Sequence, residues 1–197
     1  MGPDHLGIVR FEELPAIPWR NGGGVTREVA ASGRSGPHSF DWRISIADVS
    51  HAGLFSAFRG VDRVITLVEG ERMDLVIDGV IHVLGQHESL TFDGGSQVSC
   101  SLPAGPTRDL NVMTRSDRMS AAVAVRDLSE TRPIAVSGSQ VVVLLTGSAV
   151  VAGADESRAA LNPLDAVCPS GLHVRLVTGS GKVAVVRIED HQQTRAQ

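Results

Sequence analysis

The sequence predicts an all-β chain folded as a double-stranded β-helix, a jelly-roll barrel, with two such barrels fused in one polypeptide. Three observations predict it. Helix signals are scarce; Val- and Ile-rich runs recur between Gly and Pro punctuation; and one strand-turn-strand pattern occurs twice.

The first half offers strands at Val25–Ala30, Phe40–Ile46, Arg63–Val68, Met73–Ile77 and Val80–Leu84. The second offers Val141–Leu145, Ala149–Ala152, Val174–Val177 and Val183–Ile188. Each run is short, β-branched and bounded by turn residues, the pattern of strands closing a barrel. A single short helix is expected, at Asp155–Ala160. Arg63–Gly70 resembles Gln140–Gly147 at an offset of 77 residues. At the same offset Leu84–Phe92 falls on Leu161–Pro169, so that Glu88 meets Asp165 and Leu90 meets Val167. Register kept across both segments argues for an internal duplication. It places a first barrel with the site at residues 1–125, and a shorter second one, scaffold or interface, at residues 126–197.

Composition narrows the function. A chain of 197 residues with 42% hydrophobic and 20% charged residues can bury a core without staples. A net charge of −4 carries no footprint for nucleic acid. Cys100 and Cys168 sit among apolar residues and read as buried thiols in a reducing compartment. The N-terminus shows no apolar signal segment, and no run is long enough to span a bilayer, so the chain is expected to be cytoplasmic.

Three stretches can carry chemistry. In Pro18-Trp-Arg-Asn-Gly-Gly-Gly-Val-Thr-Arg-Glu28, the bare backbone of Gly22, Gly23 and Gly24 can approach a ligand or form an anion nest. Trp19 offers a flat wall, while Asn21 and Arg27 can orient a carboxylate or amide. A hairpin turn accounts for Asn21 and Gly22 equally well, though it does not call for Gly23 and Gly24. In Phe40–Ile46 the apolar residues alternate with Asp41, Arg43 and Ser45, a face that is either solvated or turned to a pocket. In Arg108–Arg115, Asp109, Asn111 and Met113 share one face; buried, the two polar residues need a polar pocket, with Arg43 or Arg63 as partners. Thr178-Gly-Ser-Gly-Lys182 hints at a phosphate loop, but Leu176 stands where its upstream glycine belongs, and the segment reads as a turn.

Together PWRNGGGVTREVA, FDWRISIADVSHAGLFSAFRGVDR and GPTRDLNVMTR resemble the HutD/Ves family in order and spacing across the first two-thirds of the chain. The resemblance implies a bicupin with no known catalytic activity and no cofactor. It also implies a regulatory role in histidine utilisation through a small anionic compound, formylglutamate- or formate-like. Its pocket falls here on Trp19, Asn21, Arg43, Arg63, Asp109 and Asn111; Arg20 stands where members often have Lys, and keeps the charge.

Metal-binding cupins use an HxH pair with a nearby Glu and a later His. Here His82, His87 and Glu88 are spaced H-x4-HE, and His5, His38, His51, His173 and His191 are scattered, so no metal is expected. The expected site is one anion pocket in the first barrel. Arg43 and Arg63 pair the ligand's carboxylate, the Gly22–Gly24 backbone approaches it, and Asn21 and Asn111 donate or accept neutral hydrogen bonds. Asp109 holds an arginine, and Trp19, Arg27, Ser45 and Met113 complete the lining. The expected partners are a small anionic metabolite and, as an option, a second copy in a homodimer. The alternatives are a metal-independent isomerase- or hydrolase-like enzyme on a small carboxylate, and a protein-interaction scaffold.

Overall fold

Alternating β-branched residues cut by tight turns yield seventeen strands and one 3-10 turn (Phe11–Glu13) among the described residues of this computed structural model. The structure describes residues 6–33, 40–138, 140–168 and 174–191. The chain divides into two units. One comprises Pro15–Ala121 with Glu189–Gln197; the other comprises Met1–Leu14 with Ala122–Ile188, so the first fourteen residues group with the second half.

The Pro15–Ala121 unit holds two antiparallel sheets. The larger runs Ile17–Pro18, Gly24–Gly33, Phe40–Val49, Thr107–Arg115, Val61–Glu69, Ser89–Asp93. The smaller runs Gly53–Leu54, Val98–Ser101, Arg72–Ile77, Val80–Gly85. Ile65, Leu67, Met73 and Leu75 are fully buried in its core, with Trp19, Phe55 and Phe92 packed against them. Each such aliphatic side chain contributes about 1.5–3 kcal/mol by leaving water.

The second unit is built on a long hairpin-like pair, Gln140–Ala152 against Arg175–Asp190, with a core of Val142, Leu144, Val151, Val167, Val177 and Val183. Its strands are longer than the sequence suggests. Val141–Leu145 and Ala149–Ala152 form one strand, as do Val174–Val177 (from Arg175) and Val183–Ile188, because the intervening glycines do not turn the chain. Gly147 pairs with Gly181, both at positive φ, and a Cβ on either would lie about 2.0 Å from a facing carbonyl oxygen. Those glycines allow a close backbone approach inside a continuous ladder. Thr178–Lys182 is therefore strand, not the expected turn.

The helix expected at Asp155–Ala160 does not form either. Asp155 Oδ1 accepts hydrogen bonds from the Ser157 amide and hydroxyl, and Gly153 N donates to Ser157 O, which closes a turn. Arg158–Leu161 then leaves it as a strand. Side chains that bond to nearby backbone compete with helix, and here they win.

The 77-residue offset reappears in the strand pairing of the two units. Ile65 pairs with Leu90 and Thr66 with Ser89; Val142 pairs with Val167 and Val143 with Ala166. No helix among the described residues is long and apolar enough to cross a membrane.

Candidate functional site

Thr107–Arg115 is a central strand, flanked by Phe40–Val49 and Val61–Glu69, so both of its edges are paired. Leu110 and Val112 face one way and are fully buried. Asp109, Asn111 and Met113 face the other, into a cavity of about 500 Å³ within the Pro15–Ala121 unit. Three cross-strand rows floor it. Met113 lies between Arg43 and Arg63, Asn111 between Ser45 and Ile65, and Asp109 between Ala47 and Leu67. At about 4.8 Å per strand, Arg43 and Arg63 start roughly 10 Å apart and flank the cavity floor. Arg43 and Ser45 of Phe40–Val49 are thus turned to a pocket, Ser45 being 2% exposed, while Asp41 pairs with Arg118 at the surface.

Arg63 is 4% exposed, and its guanidinium lies over Phe92, Phe55 and Phe58, at 5.1, 5.5 and 5.8 Å from the ring centroids. This aromatic cradle partly replaces lost hydration through cation–π attraction. Among the described residues its one hydrogen bond is from Nη1 to Ser56 O at 3.4 Å, and Nε is buried without a partner. Burial, chiefly, pushes the Arg63 pKa down to about 10; Asp109 opposes this and Arg43 adds to it. Asp109, 2% exposed, has its pKa raised to about 7 by burial, against the pull of Arg63 and with a further push from Asp48. Asp109 Oδ2 and Asn111 Oδ1 are also buried without partners. The expectation that Asp109 holds an arginine needs correction. The two charges feel each other, yet no hydrogen bond or ion pair joins them; aromatic rings hold Arg63 instead. Arg43 is engaged differently, its Nε donating to Glu28 Oε2 at 2.8 Å near the surface.

Trp19 and Asn21 also line the cavity, with Trp19 Nε1 donating to Thr26 Oγ1 at 2.7 Å and its ring edge-on to Phe55. The glycine triplet does not line it. Gly22, at φ +71, turns the chain and donates to Trp19 O, while Gly23 N donates to Asn21 Oδ1 at 3.0 Å. Those two N–H groups serve the turn, so a nest that offers them to an anion is not present. Gly22 and Gly23 border a shallower hollow with His51 and Leu54. Gly24 opens a strand, where a Cβ would lie 2.3 Å from Asp48 O. Close backbone packing accounts for the third glycine.

Arg27 is likewise displaced from the expected site. It points to the other face of the sheet, where it pairs with Asp48 at 2.5 Å; Arg108 joins Asp48 and Glu69. Burial would raise the Asp48 pKa, but hydrogen bonds and charge from Arg108 and Arg27 outweigh it and hold it low. Sequence reasoning missed Phe55, Phe58 and Ser56, all in the lining, and the ring of Phe92; Arg20, noted for its charge alone, lines the cavity too. Phe55 and Phe58 lie three apart before the Val61–Glu69 strand, with no local pattern to mark them.

His82 lies in the Val80–Gly85 strand and His87 in the turn after it, at φ +69. His5, His38 and His173 lie outside the described residues. Among the described residues no three His, Cys, Asp or Glu side chains group to hold a metal ion. Cys168 is unpaired, and burial pushes its thiol up to about 12.

A family model described as HutD matches residues 11–185. The chain belongs to the HutD family. This HutD-family chain is 40% identical over 117 residues to an uncharacterized 21.2 kDa protein in the hutC 3' region of Pseudomonas putida, covering 59% of the chain and 62% of that relative. It is 43% identical over 121 residues to protein Ves of Citrobacter koseri, again 59% and 62%. The matches thus span about three-fifths of these relatives' length. A solved structure of HutD from Pseudomonas fluorescens SBW25 (formate condition) superposes with a TM-score of 0.77 at 31% identity, covering 93% of this chain and 98% of that one. A cupin 2 conserved barrel domain protein from Leptotrichia buccalis, 7% identical, superposes with a TM-score of 0.62 over 92% and 96% of the two chains. That likeness concerns the fold alone, which is the cupin jelly roll.

Proposed function

We propose that this HutD-family protein is a non-enzymatic cytoplasmic bicupin that binds a small anionic metabolite in the cavity of its Pro15–Ala121 unit and serves a regulatory role in histidine utilisation. The observation that carries the reading is Arg63: a buried guanidinium with an unpartnered Nε, lining a cavity with no carboxylate bonded to it. A buried cation left without a counterion is costly, and a ligand carboxylate supplies the missing partner. Asn21 and Asn111 provide neutral hydrogen bonds, and Trp19, Phe55 and Phe58 wall the apolar part. The HutD structure obtained in a formate condition and the relative in a hutC 3' region favour a formate- or formylglutamate-like ligand in that context.

Calorimetric titration with sodium formate and with N-formylglutamate tests this. Saturable binding at one site per chain, lost in Arg63→Met, is the expected result. Binding that Arg63→Met leaves intact would refute the placement. A metal-independent enzyme is the second reading, favoured by one observation, the Asp109 carboxyl, whose pKa near 7 suits proton transfer. Turnover of either compound, abolished in Asp109→Asn, would favour it.

A further inference from the structure

Arg43 is paired with Glu28, so the two sum to zero. Arg20 is exposed where it lines the cavity, so the buried charges that remain are Arg63 and Asp109, from neighbouring strands. The other groups around Asp109 are Asp48 on the Phe40–Val49 strand, whose charge disfavours its ionisation, and Cys100 on the opposing sheet, a thiol raised chiefly by burial and further by Asp109 itself. Asp48 is neutralised by Arg27 and Arg108. With Asp109 ionised, Arg63 and Asp109 cancel, and an incoming anion would leave the buried end of the cavity with an uncompensated negative charge. With Asp109 neutral, the buried Arg63 guanidinium meets the anion unopposed. Geometry points the same way: Asp109 lines the cavity, and its buried Oδ2 has no hydrogen-bond partner among the described residues.

We propose that the site binds a carboxylate together with a proton, Asp109 being present in the complex as the neutral acid and donating a hydrogen bond to a ligand oxygen while Arg63 supplies the charge. This rests on the anion-binding reading above and adds its regulation: occupancy rises as pH falls. The proton comes from solvent and adds to the Asp109 carboxylate; no other bond changes. An Asp109 pKa raised to about 7 places the transition in a physiological range.

The test is calorimetry of formate binding in two buffers of different ionisation enthalpy, which counts protons taken up. At about pH 8 uptake should approach one per formate, and at about pH 6 it should approach zero; affinity should weaken toward tenfold per pH unit above about pH 7. In Asp109→Asn, neutral at every pH, uptake should vanish and affinity should stay level between those pH values. Should that variant fail to fold, the wild-type proton count still decides. Saturable binding without proton uptake at about pH 8 overturns this inference and leaves anion binding standing. Uptake that persists in folded Asp109→Asn also overturns it. No saturable formate binding at about pH 6 overturns both.

Discussion

Glu88 and Asp165, 77 positions apart, close turns of the same design. The Glu88 carboxylate accepts from Gly85 N and that of Asp165 from Asn162 N, each at 2.9 Å. Leu67 N donates to Glu88 O, and Leu144 N to Asp165 O. The residue before each, His87 or Leu164, has positive φ. What differs is burial. Glu88 is exposed, whereas Asp165 is 2% exposed and also accepts from Phe11 N at 3.0 Å and Arg10 Nη1 at 2.7 Å.

The two carboxylates should therefore differ in worth. Asp165→Ala strands buried donors and removes the anchor of the N-terminal segment, so it should destabilise by about 2–4 kcal/mol. Glu88→Ala should cost about 1 kcal/mol or less. Urea melts of both variants check the ratio; equal losses would mean that the burial difference is unimportant.

Arg63→Met should separate stability from function. It replaces a buried charge among three phenylalanines by a thioether that packs well on rings. Stability should hold or rise by about 1 kcal/mol, while carboxylate affinity falls by about 2–4 kcal/mol. Arg43→Met should lose less, since Arg43 is partly exposed and already paired with Glu28. Paired melts and titrations give both numbers.

Asp109 should imprint itself on the pH dependence of stability. Its pKa is about 7 folded against 3.8 ordinarily, so between those values the native state holds a proton that the unfolded chain releases. Stability from this group is fully present below about pH 4 and is lost as pH rises to about 7, on the order of 4 kcal/mol in all. Asp48, held low, acts oppositely: its contribution is lost as pH falls below the usual carboxylate range. Melts of Asp109→Asn beside the wild type isolate the first effect, and parallel curves would refute the raised pKa.

The glycine triplet should split by position. Gly24→Ala drives a Cβ into the Asp48 carbonyl at 2.3 Å and should cost about 2 kcal/mol or more. At Gly23 the nearest neighbour of a Cβ is the Asn21 side chain at 3.3 Å, and the cost should be about 1 kcal/mol or less. Ligand affinity of folded protein should survive both changes; a loss in Gly23→Ala alone would restore backbone contact with the ligand.

Strand positions were legible in the sequence because period-two alternation and turn residues are local properties. The repeated turn was legible too, since register survives in Leu84, Glu88 and Leu90 against Leu161, Asp165 and Val167. The sequence also singled out Asp109, Asn111 and Met113, because polar residues among aliphatic ones need a polar pocket if buried, with Arg43 and Arg63 as their partners; whether the face of Arg43 and Ser45 met a pocket or solvent stayed open. Which buried arginine lacks a carboxylate partner was decided only by tertiary structure. Arg27 and Arg63 look alike in the chain, yet strand pairing sends one across the sheet to Asp48 and seals the other beneath Phe55, Phe58 and Phe92. Glycines gave the same lesson, since a bare Cα serves a turn at Gly22 and a crowded ladder at Gly24 and Gly147. Local pattern determines that a strand forms and which way its side chains alternate; the charge state and the partners of those side chains depend on what the fold brings against them from distant positions.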